Sequence, residues 1–379
     1  MHSEYILISH KLLGSQLATA GAIIACASFI IALILARLAR PIGEAFGVID
    51  APHASGEGGN RQSSHKRHAS PVPAVGGIIA AMCGLVIVAL DTLFSVPKAA
   101  ASTYGYIVIT TALGAIMLMG LLDDRNHIPA RHRLIISTLI FGALLAAMPR
   151  LILHDVNFYS IDFSAHLGWL AVPVTLTCLV AAQNAVNMVD GKNGLLLGLS
   201  IGWMVHFMQH APSHMLPISS GLMATILVLF VANLKGKLFM GDCGSYGIAS
   251  FTAITVLNFH TAPAASPVPL GASEVLMMFL VPGLDMLRLI VARMASGRSP
   301  FAADNDHLHH LLDDSIGWAR GWWIYMALAF GPLAVFHMTM RLPFLTIAMG
   351  VLAYAMVIYW ARRRILAKPN LSGAALTLN

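Results

Sequence analysis

Between Asp285 and Leu312 the chain reads DMLRLIVARMASGRSPFAADNDHLHHLL. It leaves an apolar run through Arg288 and Arg293, turns at a Gly-Arg-Ser-Pro sequence, and then sets Asp304, Asp306, His307, His309 and His310 within seven positions. That density of ionisable groups stands out in a chain only 11% charged. A plain solvated loop would also account for it, since loops are commonly polar. The chemistry these residue types share is narrower: arginine and histidine donors that hold the oxygens of a phosphate.

Three acid clusters point the same way. Asp123 and Asp124 close GLLDDR. Two adjacent carboxylates at a helix C-terminus face the negative end of the helix dipole and need a cation. Either Arg125 and Arg131 supply it as surface partners, or the pair serves a magnesium or a phosphate proton. Asn184, Asn187 and Asp190 recur every three residues in NAVNMVDGKNGL and share one helical stripe. Gly191 and Gly194 then break the helix, so the backbone can approach a nucleotide or metal closely. Amides gluing helices together are the alternative. Asp242, in FMGDCGS, is an N-cap or a hard oxygen ligand suited to magnesium bridging a diphosphate. The N-terminus of its helix would also favour an anion. His65, His68 and the PVPAVGG segment at Pro71–Gly77 complete the set.

The elements that must position these residues are membrane helices. Hydrophobic residues make up 57% of the chain and the mean hydropathy is +0.75, well above soluble globular composition. Apolar runs long enough to cross a bilayer recur from end to end, without the two-residue alternation of a membrane barrel. Helices are expected near 17–36, 74–94, 104–122, 133–149, 167–185, 194–208, 216–234, 243–260, 272–292, 321–337 and 343–360. The fold class is thus an all-α polytopic membrane protein of about eleven spans, a single domain over 1–379 with a retained first span. Its cytoplasmic parts are loops at 37–73 and 286–320 and a tail at 361–379.

Lysine and arginine crowd alternate connections: Arg37, Arg40, Arg61, Lys66, Arg67, Arg125, Arg131, Arg133, Lys192, Lys235, Lys237, Arg293, Arg298, Arg320 and Arg362–Arg364. The other connections hold Lys11, Lys98, Arg150 and Arg341. Positive residues stay inside, so the N-terminus is expected in the periplasm and the C-terminus in the cytoplasm. Arg37, Arg40 and Arg362–Arg364 read as topology alone, and no nucleic-acid partner is expected. Asp123, Asp124, Asp190, Asp242, Asp304 and Asp306 all fall in the positive set. His154, His166, His206, His210, His214 and His260 fall in the other, with no acid cluster beside them in sequence, and read as interfacial. Cys26, Cys83, Cys178 and Cys243 show no ligand or redox spacing.

Together these motifs resemble the polyprenyl-phosphate N-acetylhexosamine-1-phosphate transferases, nearest the WecA/TagO branch, from about Asp50 to Leu312. The resemblance implies an eleven-span bundle with a cytoplasmic-facing site in the inner membrane. It also implies transfer of a sugar-1-phosphate, such as N-acetylglucosamine-1-phosphate, from a UDP-sugar to undecaprenyl phosphate. UMP would be released, and the product would start a lipid-linked cell-envelope glycan such as an O-antigen. Carried over, Asp123 and Asp124 match the paired aspartates, Asp190 that of the asparagine stripe, and Asp242 the magnesium-linked one. Arg293, Asp304, His307, His309 and His310 match the substrate loop, with Asn184, Asn187, Asn193 and Lys237 as further substrate contacts. Asn193 departs from the family, standing where a second Asp is usual; it keeps an oxygen but loses the charge, and Lys192 beside it adds a positive one.

The mechanism expected is attack of a lipid-phosphate oxygen on the β-phosphorus of the UDP-sugar, assisted by magnesium, with manganese as the substitute. Asp242, Asp190 and Asp124 would hold the metal, and Asp123 would be base or second ligand. The rivals are a transporter or flippase, whose ionisable groups belong near the midplane, and a weakened homologue that binds nucleotide sugar without turnover. The hexosamine, the glycan and the oligomeric state are not set by the sequence.

Overall fold

The computed structural model describes residues 2–51, 70–94, 100–261, 268–302, 306–339 and 342–368. Asp304, His65 and His68 lie outside them. The helices are α1 (His2–Arg37), α2 (Ala39–Phe46), α3 (Gly76–Phe94), α4 (Ala100–Asn126) and α5 (Ala130–Ala147). There follow α6 (Ala171–Asn187), α7 (Leu195–His210), α8 (Leu216–Leu234), α9 (Gly241–Thr261), α10 (Ala272–Met278) and α11 (Leu280–Ala295). The last are α12 (Leu308–Ile316), α13 (Trp318–Met338) and α14 (Pro343–Leu366).

All the expected stretches are helical, but they are not equivalent. By length and apolarity, eight described helices can cross a membrane, or nine if α10 and α11, bent by 64° at Phe279, count as one span. The two expected stretches outside that number are α7, of 16 residues, and α9. Both are interior. Leu195 to Ser200 are buried without a break, which covers every face of α7. Along α9 the buried set includes Ser245, Ser250, Thr252 and His260, polar residues that a lipid-facing helix would not carry. Helices wrapped by other helices need neither full length nor full apolarity. Leu85, Leu139, Val291, Leu352 and Met356 on the outer helices point outward instead, as bilayer contact requires.

Helix α9 is the hub, packed against α3, α4, α6 and α7, while α1 lies along α8. The close approach of α3 and α4 depends on glycine. A Cβ on Gly77 would lie 2.2 Å from the Gly244 nitrogen, and one on Gly120 2.5 Å from the Asp242 carbonyl oxygen. Two short antiparallel sheets join connections: β1 (Ile49–Asp50) with β2 (Val72–Pro73), and β3 (Asp155–Phe158) with β4 (Phe163–His166). Beyond β2 the backbone continues to pair. Phe239 N–H donates to the Pro73 carbonyl at 2.9 Å, Gly76 N–H to that of Phe239 at 2.9 Å, and Gly77 N–H to that of Met240 at 3.0 Å. The PVPAVGG segment is therefore stitched to the turn that carries Asp242. The stretch 286–320 is partly helical, holding the end of α11 and all of α12, and α14 runs on into the expected tail as far as Leu366.

Candidate active site

Asp123, Asp124, Asn187, Asp190, Asn193, Asp242 and His310 line one cavity of about 1060 Å³ at a single end of the bundle. Each carboxylate is held differently. Helix α4 ends at Asn126 and α5 starts at Ala130, and between them His127 takes a positive φ that reverses the chain. The reversal brings Arg133 back to Asp123, with its Nη1 2.6 Å from Oδ2, while the Ile128 N–H donates to Oδ1 at 2.7 Å. The cation that meets Asp123 is thus Arg133, and it also lies 3.7 Å from Asp242. Asp124 accepts the N–H groups of Asp242 at 2.8 Å and Cys243 at 3.1 Å. The anion that suits the N-terminus of α9 is supplied from within the chain.

Asn187 accepts the Ser245 hydroxyl and donates to Tyr246 at 3.4 Å, which locks α6 to α9. Asn184 turns back to its own helix, donating to the Val180 carbonyl at 2.8 Å. Burial and then the Asp124 charge hold the Asp190 carboxyl well above the usual carboxylate range. The loop after it is clamped from two sides. Asn233 Oδ1 accepts the Gly194 N–H at 2.6 Å, and Trp318 and Trp322 donate to the carbonyls of Asn193 at 2.9 Å and Gly194 at 3.0 Å. Lys192 pairs with Asp313, so it adds no net charge beside Asn193. Lys237 is exposed on the α8–α9 turn and lines neither this cavity nor the next.

A second cavity of about 790 Å³ lies beside the first and is walled mainly by apolar residues, Leu134, Leu176, Val180, Ile290 and Phe301 among them. Arg133, Asn187, Asp190, Gly191 and His310 line both. Arg293 and the histidines belong to the second. Arg293 is buried and donates to the Pro300 carbonyl at 2.7 Å. The His307 and His309 rings stack 5.4 Å apart, and His310 stands 4.3 Å from His309. His309 packs on Gly191, where a Cβ would meet its Nε2 at 2.2 Å. Burial, with His310 and His307 alongside, holds its imidazole well below the usual histidine range.

The sequence reading missed what anchors this wall. Asp285 is buried and accepts Arg288 at 2.9 Å, the Tyr354 hydroxyl at 2.7 Å and the Leu308 N–H at 3.2 Å, with His307 Nδ1 at 3.2 Å. Arg288 reaches on to Asp306 at 2.8 Å, and Arg362 joins it there, so Arg362 does more than report topology. The i,i+3 spacing of Asp285 and Arg288 was the available signal; Tyr354, far along the chain, gave none.

Hard oxygen donors facing a wide cavity fit magnesium. Among the described residues no three of these carboxylates bring ligand atoms within 4.8 Å of one another. That also fits, because magnesium keeps waters and uses one or two carboxylates plus substrate phosphates.

A bundle of apolar helices with an acid-lined chamber beside a more apolar one defines an integral-membrane protein. Residues 106–260, which carry Asp123, Asp124, Asp190 and Asp242, match the family model described as Glycosyl transferase family 4. The chain is 29% identical over 350 residues to the undecaprenyl-phosphate alpha-N-acetylglucosaminyl 1-phosphate transferase of Yersinia pestis, covering 88% of this chain and 90% of that one. The protein of the same name from Escherichia coli (strain K12) is 29% identical over 296 residues, 75% of this chain and 74% of its own.

Proposed function

We propose that the protein transfers an N-acetylhexosamine-1-phosphate, N-acetylglucosamine-1-phosphate first among them, from a UDP-sugar to undecaprenyl phosphate, releasing UMP. The observation that carries this reading is the shared wall between the two cavities: one has acids for a metal-bound diphosphate, the other an apolar lining for a polyprenyl chain. The names of the relatives support the same acceptor and sugar. In this reading the acid end faces the cytoplasm, the N-terminus the periplasm, and the chain crosses the inner membrane eleven times, as the lysine and arginine distribution favours. A transporter would need its ionisable groups near the midplane, and these gather at one end.

Magnesium, held by Asp242 and Asp190 with Asp124 beside them, would neutralise the diphosphate and steady the departing UMP. Asp124 fixes the N-terminus of α9 and so the place of Asp242. Asp123 is already engaged by Arg133 and the Ile128 N–H. Its work in this reading is to orient Arg133 toward the phosphates; as the base it would first have to release that guanidinium. His310 and Asn187, on the shared wall, would contact the phosphate at the point of transfer, and Arg293 and His307 would steady the lipid phosphate.

Purified protein given undecaprenyl phosphate, magnesium and a panel of UDP-N-acetylhexosamines tests this by UMP release and formation of the lipid diphosphate sugar. Magnesium-dependent release with one donor is expected. Folded protein that is silent with every donor overturns the reading in favour of a non-catalytic homologue, and Asn193→Asp is then the variant to assay.

A further inference from the structure

The other end of the bundle holds a second cluster of ionisable side chains. It corrects the reading of His206 and His210 as interfacial, for both are buried beside an acid. They lie four residues apart on one face of α7, with rings 4.7 Å apart. His337, from the last turn of α13, stands 5.7 Å from His206. Glu274, in the first turn of α10, faces all three. Its Oε1 is 3.9 Å from His206 Nε2, 3.7 Å from His210 Nε2 and 3.7 Å from His337 Nε2. These separations are too long for hydrogen bonds. They are a few tenths of an ångström longer than the roughly 3.3 Å between ligands in a tetrahedron of radius about 2.0 Å.

Glu274 and His210 are each oriented from behind. Glu274 Oε2 accepts the Gly271 N–H at 2.9 Å, which leaves Oε1 directed at the histidines. His210 Nδ1 lies 2.7 Å from the Val268 carbonyl. A carbonyl only accepts, so the proton sits on Nδ1 and the Nε2 lone pair points at Glu274. His206 Nε2 is buried with no hydrogen-bond partner. Among the described residues, His206, Glu274 and His337 are the one group of three whose ligand atoms fall within 4.8 Å of one another. A cavity of about 180 Å³, lined by His210, Glu274 and His337, adjoins them.

We propose that His206, His337 and Glu274 form a site for a zinc-class divalent transition ion, with His210 beside it on Glu274. Two imidazoles and one carboxylate suit zinc and its neighbours rather than magnesium. Three protein ligands hold the ion and leave the fourth place of the tetrahedron to a water. The site ties α7, α10 and α13 together, and half-exposed His337 gives the ion its way in. It lies a helix length, about 24 Å for 16 residues, from the loop that starts α7, and the inference is independent of the reaction proposed above.

The full-length protein, stripped with chelator in detergent, is to be loaded with zinc or cobalt and desalted. About one equivalent per chain should remain, with the intense visible bands of four-coordinate cobalt, and chelation should lower the unfolding temperature. The double variant His206→Gln/His337→Gln should lose the metal, the bands and the chelator effect. Glu274→Gln, which keeps an oxygen for the Gly271 N–H, should weaken binding while remaining folded. Wild-type protein that retains neither metal overturns the proposal without any variant. So does a folded double variant that keeps both the equivalent and the bands, which would place the ion on the His307–His310 cluster.

Discussion

The two ends of the bundle both concentrate ionisable side chains, and they are built on opposite plans. At the acid end each carboxylate is tied to something different: Asp123 to Arg133, Asp124 to the N-terminus of α9, while Asp190 faces the cavities. The donors are oxygens spread around about 1060 Å³. At the histidine end three nitrogens converge on a single oxygen beside about 180 Å³. One arrangement is incomplete until substrates bring phosphates into it. The other needs only the proposed ion and no substrate. The contrast teaches that a cluster's function follows from whether its members point at one another or at a space.

The sharpest way to break this comparison is Asp190→Asn, which keeps the shape and removes the charge. Turnover should fall by more than about a hundredfold, beyond the range seen for outer-sphere partners, in initial rates across magnesium concentrations. A loss under tenfold would mean that the acid end is not organised around a cation. Gly77→Ala tests the scaffold under it. The added methyl meets the Gly244 backbone, and overpacking of this kind costs about 1–3 kcal/mol. Thermal unfolding should drop accordingly, while Gly142→Ala, inside α5 with nothing within 4 Å of its Cβ, should hold or raise it.

A pH series sharpens the contrast further. His309 is held neutral in the fold, so the unfolded chain takes up a proton there that the folded chain refuses once pH falls below about 6.5. Its contribution to stability is present above that pH and fades as pH drops. Unfolding temperatures from pH 8 to 5 should show the decline, and His309→Gln should flatten part of it. The smallest effect belongs to Lys237→Ala. An exposed side chain lining neither cavity should change turnover by less than about twofold, and a larger loss in the same assay would extend the substrate surface beyond both cavities.

Much of the acid end was legible because its residues sit close together in sequence or at helical spacing. Asn184 and Asn187 share α6 as expected, Asp190 falls in the turn just past its end, and the glycines after Asp190 announce that loop. What lay hidden depends on distant pairing. Arg133 comes to Asp123 only because a three-residue reversal joins α4 to α5. Gly76 and Gly77 fall inside an expected helix with nothing to mark their use, which is to let α3 touch the start of α9. At the other end the His206–His210 spacing was visible, but Glu274 and His337 arrive from separate helices. The sequence also assigns α7 and α9 by apolarity as though they faced lipid, when their place inside the bundle frees them from that demand.

The partition of Arg133, Asn187, Asp190, Gly191 and His310 common to both cavities has a consequence for traffic. If the proposed reaction runs there, the nucleotide leaves toward water and the sugar-bearing lipid slides away on the other side. Neither product crosses the path of the other. Accumulated lipid product should then compete with the acceptor and leave the nucleotide's exit clear, so inhibition by each product should name the side of the wall on which it stands.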